Sequence, residues 1–338
     1  MQRPEAHLTN RKRRVLTTAA DSRGQESAWE LNEMTTPQHT LLHLTADRRR
    51  STGESHQSLL PLLPEDGSAL SIPDARRLEQ AELEADLFLT LGSMGGFSVH
   101  PMGIVRLRPR PDQLTIQLLH EPYVVWYWAD LLLPRINDEA GHPRDRVSGI
   151  PGLRWRVVGK TVQLYRPDMP TRIVLTGSNV RWWRHVTRRM EADYPTLVRH
   201  PGWTPHERAA YEAPGPHPYP PARLFSPLLR RLRATAGTQP LNSTDAWSSG
   251  DAWRLEATDG PSCPDLVRLL GHGPTAMGWT VSHKSCTCPC DHEHGSCTID
   301  FHDPRTGASI YYTNGRWRRT LTLRHLQRTR ELNTAALT

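Results

Sequence analysis

Two stretches of this chain repeat one another, and that repetition limits the architectures open to it. Thr161-Val-Gln-Leu-Tyr-Arg-Pro167 aligns with Thr298-Ile-Asp-Phe-His-Asp-Pro304, and the match continues without a gap to place Ile173 on Ile310 and Thr176 on Thr313. Upstream, Leu153-Arg-Trp-Arg-Val157 faces Met277-Gly-Trp-Thr-Val281. Downstream, Arg181-Trp-Trp-Arg184 faces Arg316-Trp-Arg-Arg319. Each block reads as three short strands, because apolar and polar residues alternate between turn residues. The pattern is that of an internal duplication whose second copy carries an insertion between its first two strands.

The insertion is Cys286-Thr-Cys-Pro-Cys-Asp-His-Glu-His-Gly-Ser-Cys297, with six metal-ligand side chains: Cys286, Cys288, Cys290, His292, His294 and Cys297. In an extended backbone alternate side chains share a side, so Cys286, Cys288 and Cys290 point the same way. Cys297 opens the following strand, either histidine can complete a tetrahedron, and His283 and His302 stand in reserve. Such a set suits a structural zinc ion, and thiolates also suit Cu(I). A hairpin whose turn has become a long loop loses register control, and a metal closing the loop would restore it. No H-E-x-x-H or zinc-deaminase pattern is present, which argues for a structural rather than a catalytic ion. Cys263 stands apart before a helix and reads as a small buried residue.

At 338 residues the chain exceeds one small module. The net charge of +7 points toward polyanionic partners. Lys12, Lys160 and Lys284 are the only lysines, however, and an Arg excess of this kind is also what a GC-rich coding sequence produces. Only clustered Arg therefore carries weight. Over Ser178–Tyr194, helical spacing separates an apolar stripe (Val180, Trp183, Thr187, Met190, Tyr194) from a basic one (Arg181, Arg184, His185, Arg188). The basic stripe is the candidate nucleic-acid surface, joined in the second copy by Arg316, Arg318 and Arg319. Trp182 and Trp317 are the candidate stacking platforms.

The expected fold is α+β, with two small modules of antiparallel strands plus helices. Residues 1–70 read as a disordered basic arm carrying Arg11-Lys-Arg-Arg14 and Arg48-Arg-Arg50. Residues 71–194 and 251–330 read as the two modules. Residues 195–250 read as a Pro/Ser-rich connector containing Pro214-Gly-Pro-His-Pro-Tyr-Pro-Pro221 and one helix over Ala222–Leu232. Asn314-Gly315 carries a hairpin signal, with a returning strand over Arg316–Leu323.

The N-terminal residues lack an apolar h-region and no long apolar run occurs, so neither a secretory signal nor a membrane span is expected. Cysteine usage fits a reduced, cytoplasmic protein. Dinucleotide, P-loop and nucleophile-elbow motifs are missing, and the reading leans away from an enzyme. The leading expectation is a non-enzymatic, nucleic-acid-associated protein with a structural zinc loop, in the manner of a regulator or mobile-element accessory. A thiol-based metal or redox sensor is the second, and an adaptor binding proteins through the Pro-rich connector is the third.

Overall fold

Order begins upstream of the periodic segments. The computed structural model describes residues 37–92, 97–98, 100–137, 139–178, 180–213, 221–236, 242–249, 252–258, 260–286 and 296–315. Helix α1 (Pro37–Thr52) and the single turn α2 (His56–Leu59) fall inside the segment expected to be unstructured. Polar burial dominates around α1, where Thr45, Arg48, Ser51, Thr52 and Glu54 are all buried, while α2 is anchored by the fully buried Leu59. Arg48 donates from Nε to Glu54 at 2.9 Å and from Nη1 to the Ser71 carbonyl at 2.7 Å. It is thus a structural residue, which corrects its assignment to a solvated arm. Arg11 to Arg14 lie outside the described residues.

The first copy runs α3 (Leu78–Gly92), β1 (Phe97–Ser98), β2 (Ile104–Arg110), β3 (Gln113–Leu118) and α4 (Pro122–Leu132). A two-stranded ribbon follows, β4 (Arg135–Ile136) with β5 (Val147–Ser148), and then β6 (Arg154–Val158), β7 (Thr161–Tyr165), β8 (Ile173–Thr176) and α5 (Val180–Asp193). Helix α6 (Pro205–Glu212) leads to the second copy: α7 (Pro221–Arg230), β9 (Asn242–Ser249), β10 (Ala252–Thr258), α8 (Cys263–Val267) with a π turn after it, β11 (Thr280–Cys286), β12 (Ser296–His302) and β13 (Ser309–Gly315). The fold is α+β, with two separate, mostly antiparallel sheets.

Their topologies coincide. One sheet is ordered β2-β3-β8-β7-β6 and the other β9-β10-β13-β12-β11, with β1 added beyond β9. Each begins with an antiparallel hairpin, continues through one parallel pair (β3 with β8, β10 with β13) and ends in two antiparallel pairs. The registers agree residue by residue with the alignment: Leu164 opposes Ile173 as Phe301 opposes Ile310, and Val162 opposes Leu175 as Ile299 opposes Tyr312. One stretch needs correction. Arg154 opposes Tyr165 while Thr280 opposes His302, so the partner of Trp279 is Leu153, two residues from the position that matching tryptophans suggests. The repeated unit also extends upstream of three strands, since each copy opens with a helix and a further hairpin.

Several expected boundaries shift. Residues 195–250 contain the expected helix as α7 and, beyond it, helix α6 and strand β9; the run 214–220 lies outside the described residues. Asn314 and Gly315 are not a turn, because they continue β13 opposite Cys297 and Ser296. The Asn314 side chain instead accepts from Gly260 N at 2.9 Å and donates to the Pro261 carbonyl at 3.0 Å.

The α3–α7 pair touches both sheets within one continuous core. Phe88 stacks on Phe225 at 5.2 Å, and Phe225 meets Trp253 of β10 edge-on at 4.7 Å. Beside them Glu84 and Arg230, both with fully buried side chains, form a two-pronged ion pair with both N–O distances 2.7 Å. Ser226 and Gln80 donate to the remaining carboxylate lone pairs, and Arg230 Nη1 donates to the carbonyls of Pro73 and Arg110. Removing one member of such a pair strands a buried charge and costs about 3–5 kcal/mol. Glu84→Ala should therefore lose roughly that much in urea melts, whereas Glu84→Leu with Arg230→Met should lose less.

A second knot fixes α6. Glu207 forms a capping box with Thr204, accepts from Gly152 N and receives both Nη groups of Arg154. Burial raises its pKa, and the Arg154, Thr204 and Gly152 donors more than reverse this, leaving it below the ordinary carboxylate value. A depressed folded value means stability that is present above the unfolded pKa near 4.5 and lost as pH falls through the folded one. Glu207→Gln should accordingly lower stability at pH 7 and flatten the acid limb of a melting-temperature profile below about pH 4.5.

Candidate nucleic-acid interface and metal loop

Helix α5 turns its sequence pattern into two faces. Trp183, Val186, Thr187 and Met190 are buried, while Arg181, Arg184, His185 and Arg188 are exposed on the opposite side. Tyr194, expected in the core, is 51% exposed, with the Arg135 guanidinium 5.1 Å from its ring; Val186, outside the predicted stripe, is buried. The basic face spans two helical turns, about 10 Å, opposite roughly three phosphates of one duplex strand at about 3.4 Å each.

Its electrostatics are unusual for a helix. The first turn holds no acidic residue, so Arg181 and Arg184 sit at the positive end of the helix dipole. Arg189 pairs with Asp193 at 4.0 Å and Arg199 pairs with Glu191, whereas Arg184, His185 and Arg188 form no ion pair among the described residues. Arg188 borders an open cleft of about 520 Å³ that Tyr194, Thr196 and Arg199 also line. Trp182 is half-buried, packed on His120 at 4.7 Å and on the core, which leaves little of its ring for a base. Arg316, Trp317, Arg318 and Arg319 lie outside the described residues.

The metal-ligand candidates separate into two groups. The β6–β7 hairpin closes with a two-residue turn at Gly159 and Lys160, with Gly159 at φ +59°. The equivalent β11–β12 ladder runs one pair further, to Cys286 opposite Cys297, and residues 287–295 follow β11 outside the described residues. Cys288, Cys290, His292 and His294 fall there. The Cys297 side chain is buried, on the same face of β12 as Ile299 and Phe301. Near it and Cys263 lies the Tyr312 hydroxyl, whose pKa is pushed up by burial first and by the two thiols second. Cys297 therefore faces the core from the start of β12. His302, one of the reserves, is half-buried beside Ser309. Among the described residues no three His, Cys, Asp or Glu side chains converge.

Sequence reasoning missed Arg233 and His100, which meet at 3.0 Å between separate elements. They are 133 positions apart, and no local pattern signals such a pairing. No helix among the described residues is long and apolar enough to cross a membrane. Comparison with family models, with curated proteins and with solved structures returns no match for this chain.

Proposed function

We propose that this chain is a non-enzymatic, nucleic-acid-associated protein in which the exposed face of α5 contacts phosphates. One observation carries the reading: Arg184, His185 and Arg188, which form no ion pair among the described residues, share a solvent face with Arg181, which stands at the helix start where the dipole disfavours a cation. A polyanion offsets that unfavourable arrangement. Phosphate contacts of this kind bind without sequence preference and weaken with salt. Fluorescence anisotropy of the whole chain on labelled duplex DNA should give a linear fall of log affinity with log salt. Arg184→Ala with Arg188→Ala should flatten that slope by about 2 while leaving the melting temperature unchanged. An unaltered slope, or no binding at low salt, sinks the reading.

The Cys/His insertion is read as a structural zinc site that closes the extended hairpin. Cys286, Cys288, Cys290 and Cys297 with His292 and His294 offer more than the four ligands that a tetrahedral zinc takes. Cys288→Ser with Cys290→Ser should reduce bound zinc and lower the melting temperature. Thiol-based sensing is the second reading, because the register sets Cys286 directly across from Cys297. Antiparallel partners stand at Cα separations that a disulfide tolerates. Under that reading, diamide treatment gives a reversible mobility shift that Cys297→Ser abolishes, and zinc content is irrelevant to it.

A further inference from the structure

The arginines buried in this protein follow a rule with one exception. Arg48, Arg154, Arg166, Arg230 and Arg231 are the described arginines with less than a tenth of their surface exposed, and each is paired with a carboxylate: Glu54, Glu207, Asp86, Glu84 and Asp74 respectively. Arg233, in the turn that follows α7, is also largely buried, yet it has no carboxylate partner among the described residues. Its Nη1 instead donates to His100 Nδ1 at 3.0 Å. Guanidinium has no acceptor, so this nitrogen of His100 carries no proton and the imidazole is neutral there.

Two more arginines come from the elements that meet this turn. Arg50 lies in the last turn of α1, and Arg106 on β2 donates from Nε to the Gly53 carbonyl at 3.0 Å. Gly53, at φ +74°, is the point of contact: a Cβ on it would meet the Val105 carbonyl oxygen at 2.6 Å and the Arg233 side chain at 3.6 Å. Glycine alone allows the end of α1, β2 and the Arg233 stem to approach so closely. Burial first and Arg50 second bring the Arg233 pKa down to about 10, and burial and then Arg233 lower that of His100. Arg50, Arg106 and Arg233 make no ion pair among the described residues, and Glu54 nearby is committed to Arg48 and Thr52. The negative end of α1 supplies only about half a charge against three. A buried guanidinium without a counter-ion is costly, and no described residue supplies this group with an anion.

We infer that Arg50, Arg106 and Arg233, with His100 behind Arg233, form a binding site for a phosphate group. Planar guanidinium forks from three elements suit a tetrahedral oxyanion better than a carboxylate. The site stands apart from the α5 face, and it survives if the nucleic-acid reading fails. Inorganic pyrophosphate is the probe, titrated against the full chain at constant ionic strength with chloride as the control. Wild-type protein should gain melting temperature with pyrophosphate. Arg50→Gln and Arg233→Gln should each weaken that binding about tenfold or more, and Arg184→Ala with Arg188→Ala should leave it unchanged. Because Arg233→Gln disturbs a packed turn, Arg50→Gln decides: without pyrophosphate it should not lower the melting temperature, since it relieves like-charge repulsion. A lowered melting temperature with an undiminished pyrophosphate response would show Arg50 to be only a helix-end cation and would overturn the site. So would the absence of any wild-type response. Competition between pyrophosphate and an oligonucleotide assigns the phosphate to a nucleic-acid backbone; binding without competition assigns it to a small phosphorylated compound.

Discussion

The Glu84–Arg230 pair decides how the two halves of the molecule meet. Glu84 sits on the opening helix of the first copy and Arg230 ends the opening helix of the second, so neither copy satisfies its own buried charge. A fully desolvated carboxylate needs four donors to be stable, and it has them in Arg230 Nε, Arg230 Nη2, Ser226 and Gln80. Gln80 in turn binds both backbone groups of Arg172 at the entry to β8, while Arg230 holds the carbonyl at the end of β2. The edge strand β2 and the central strand β8 of the first sheet are thereby tied to the helix pair. Replacing such a pair by hydrocarbon is often nearly neutral in energy, so its value lies in excluding other placements of the helices. Apolar contacts such as Phe88 on Phe225 tolerate sliding; a two-pronged, fully satisfied ion pair does not.

The duplication was legible because strand registers are set by period-two burial, and both copies keep it. Ile299, Phe301 and Ile310 face inward where Val162, Leu164 and Ile173 do. What escaped the sequence lacked that periodicity. Strand β9 is Asn-Ser-Thr-Asp-Ala-Trp-Ser-Ser, a composition that reads as linker, and only pairing with β10 and β1 makes it a strand. Helix α1 has no apolar stripe to detect and is ordered through Arg48, Thr52 and Glu54. Helix α6 did carry a readable signal, Thr204 followed by proline and then Glu207 in a capping box, within a segment whose proline content suggested a connector. The parallel pairs in both sheets join strands far apart in sequence, where local pattern carries no information.

Position sorts the arginine excess into kinds that composition merges. Five are buried and neutralised by carboxylates, and their loss would be read as instability. Those on α5 are exposed, and of them Arg184 and Arg188 form no ion pair among the described residues. Arg50, Arg106 and Arg233 belong to neither group, being drawn together by the fold without a described counter-charge. A chain-wide coding bias explains why the residue is Arg and not Lys. It does not explain why one largely buried arginine is neighboured by another cation and a neutral histidine when five others have acids.

The two copies differ most at the tip of one hairpin. Gly159 and Lys160 close the first with the left-handed backbone that a tight turn needs, whereas the second extends past Cys286 and Cys297 into the Cys/His segment. Lengthening a loop several-fold costs on the order of 1 kcal/mol in closure entropy and removes the turn's hold on register. In the second copy that hold passes to the ladder: Cys297 packs inward near Tyr312 and Cys263, and β12 is flanked on both sides by paired strands. The core therefore anchors β12 without help from the loop. Strand β11 is the edge of this sheet and pairs among the described residues with β12 alone, so its end at Cys286 is where the register has least support from the ladder.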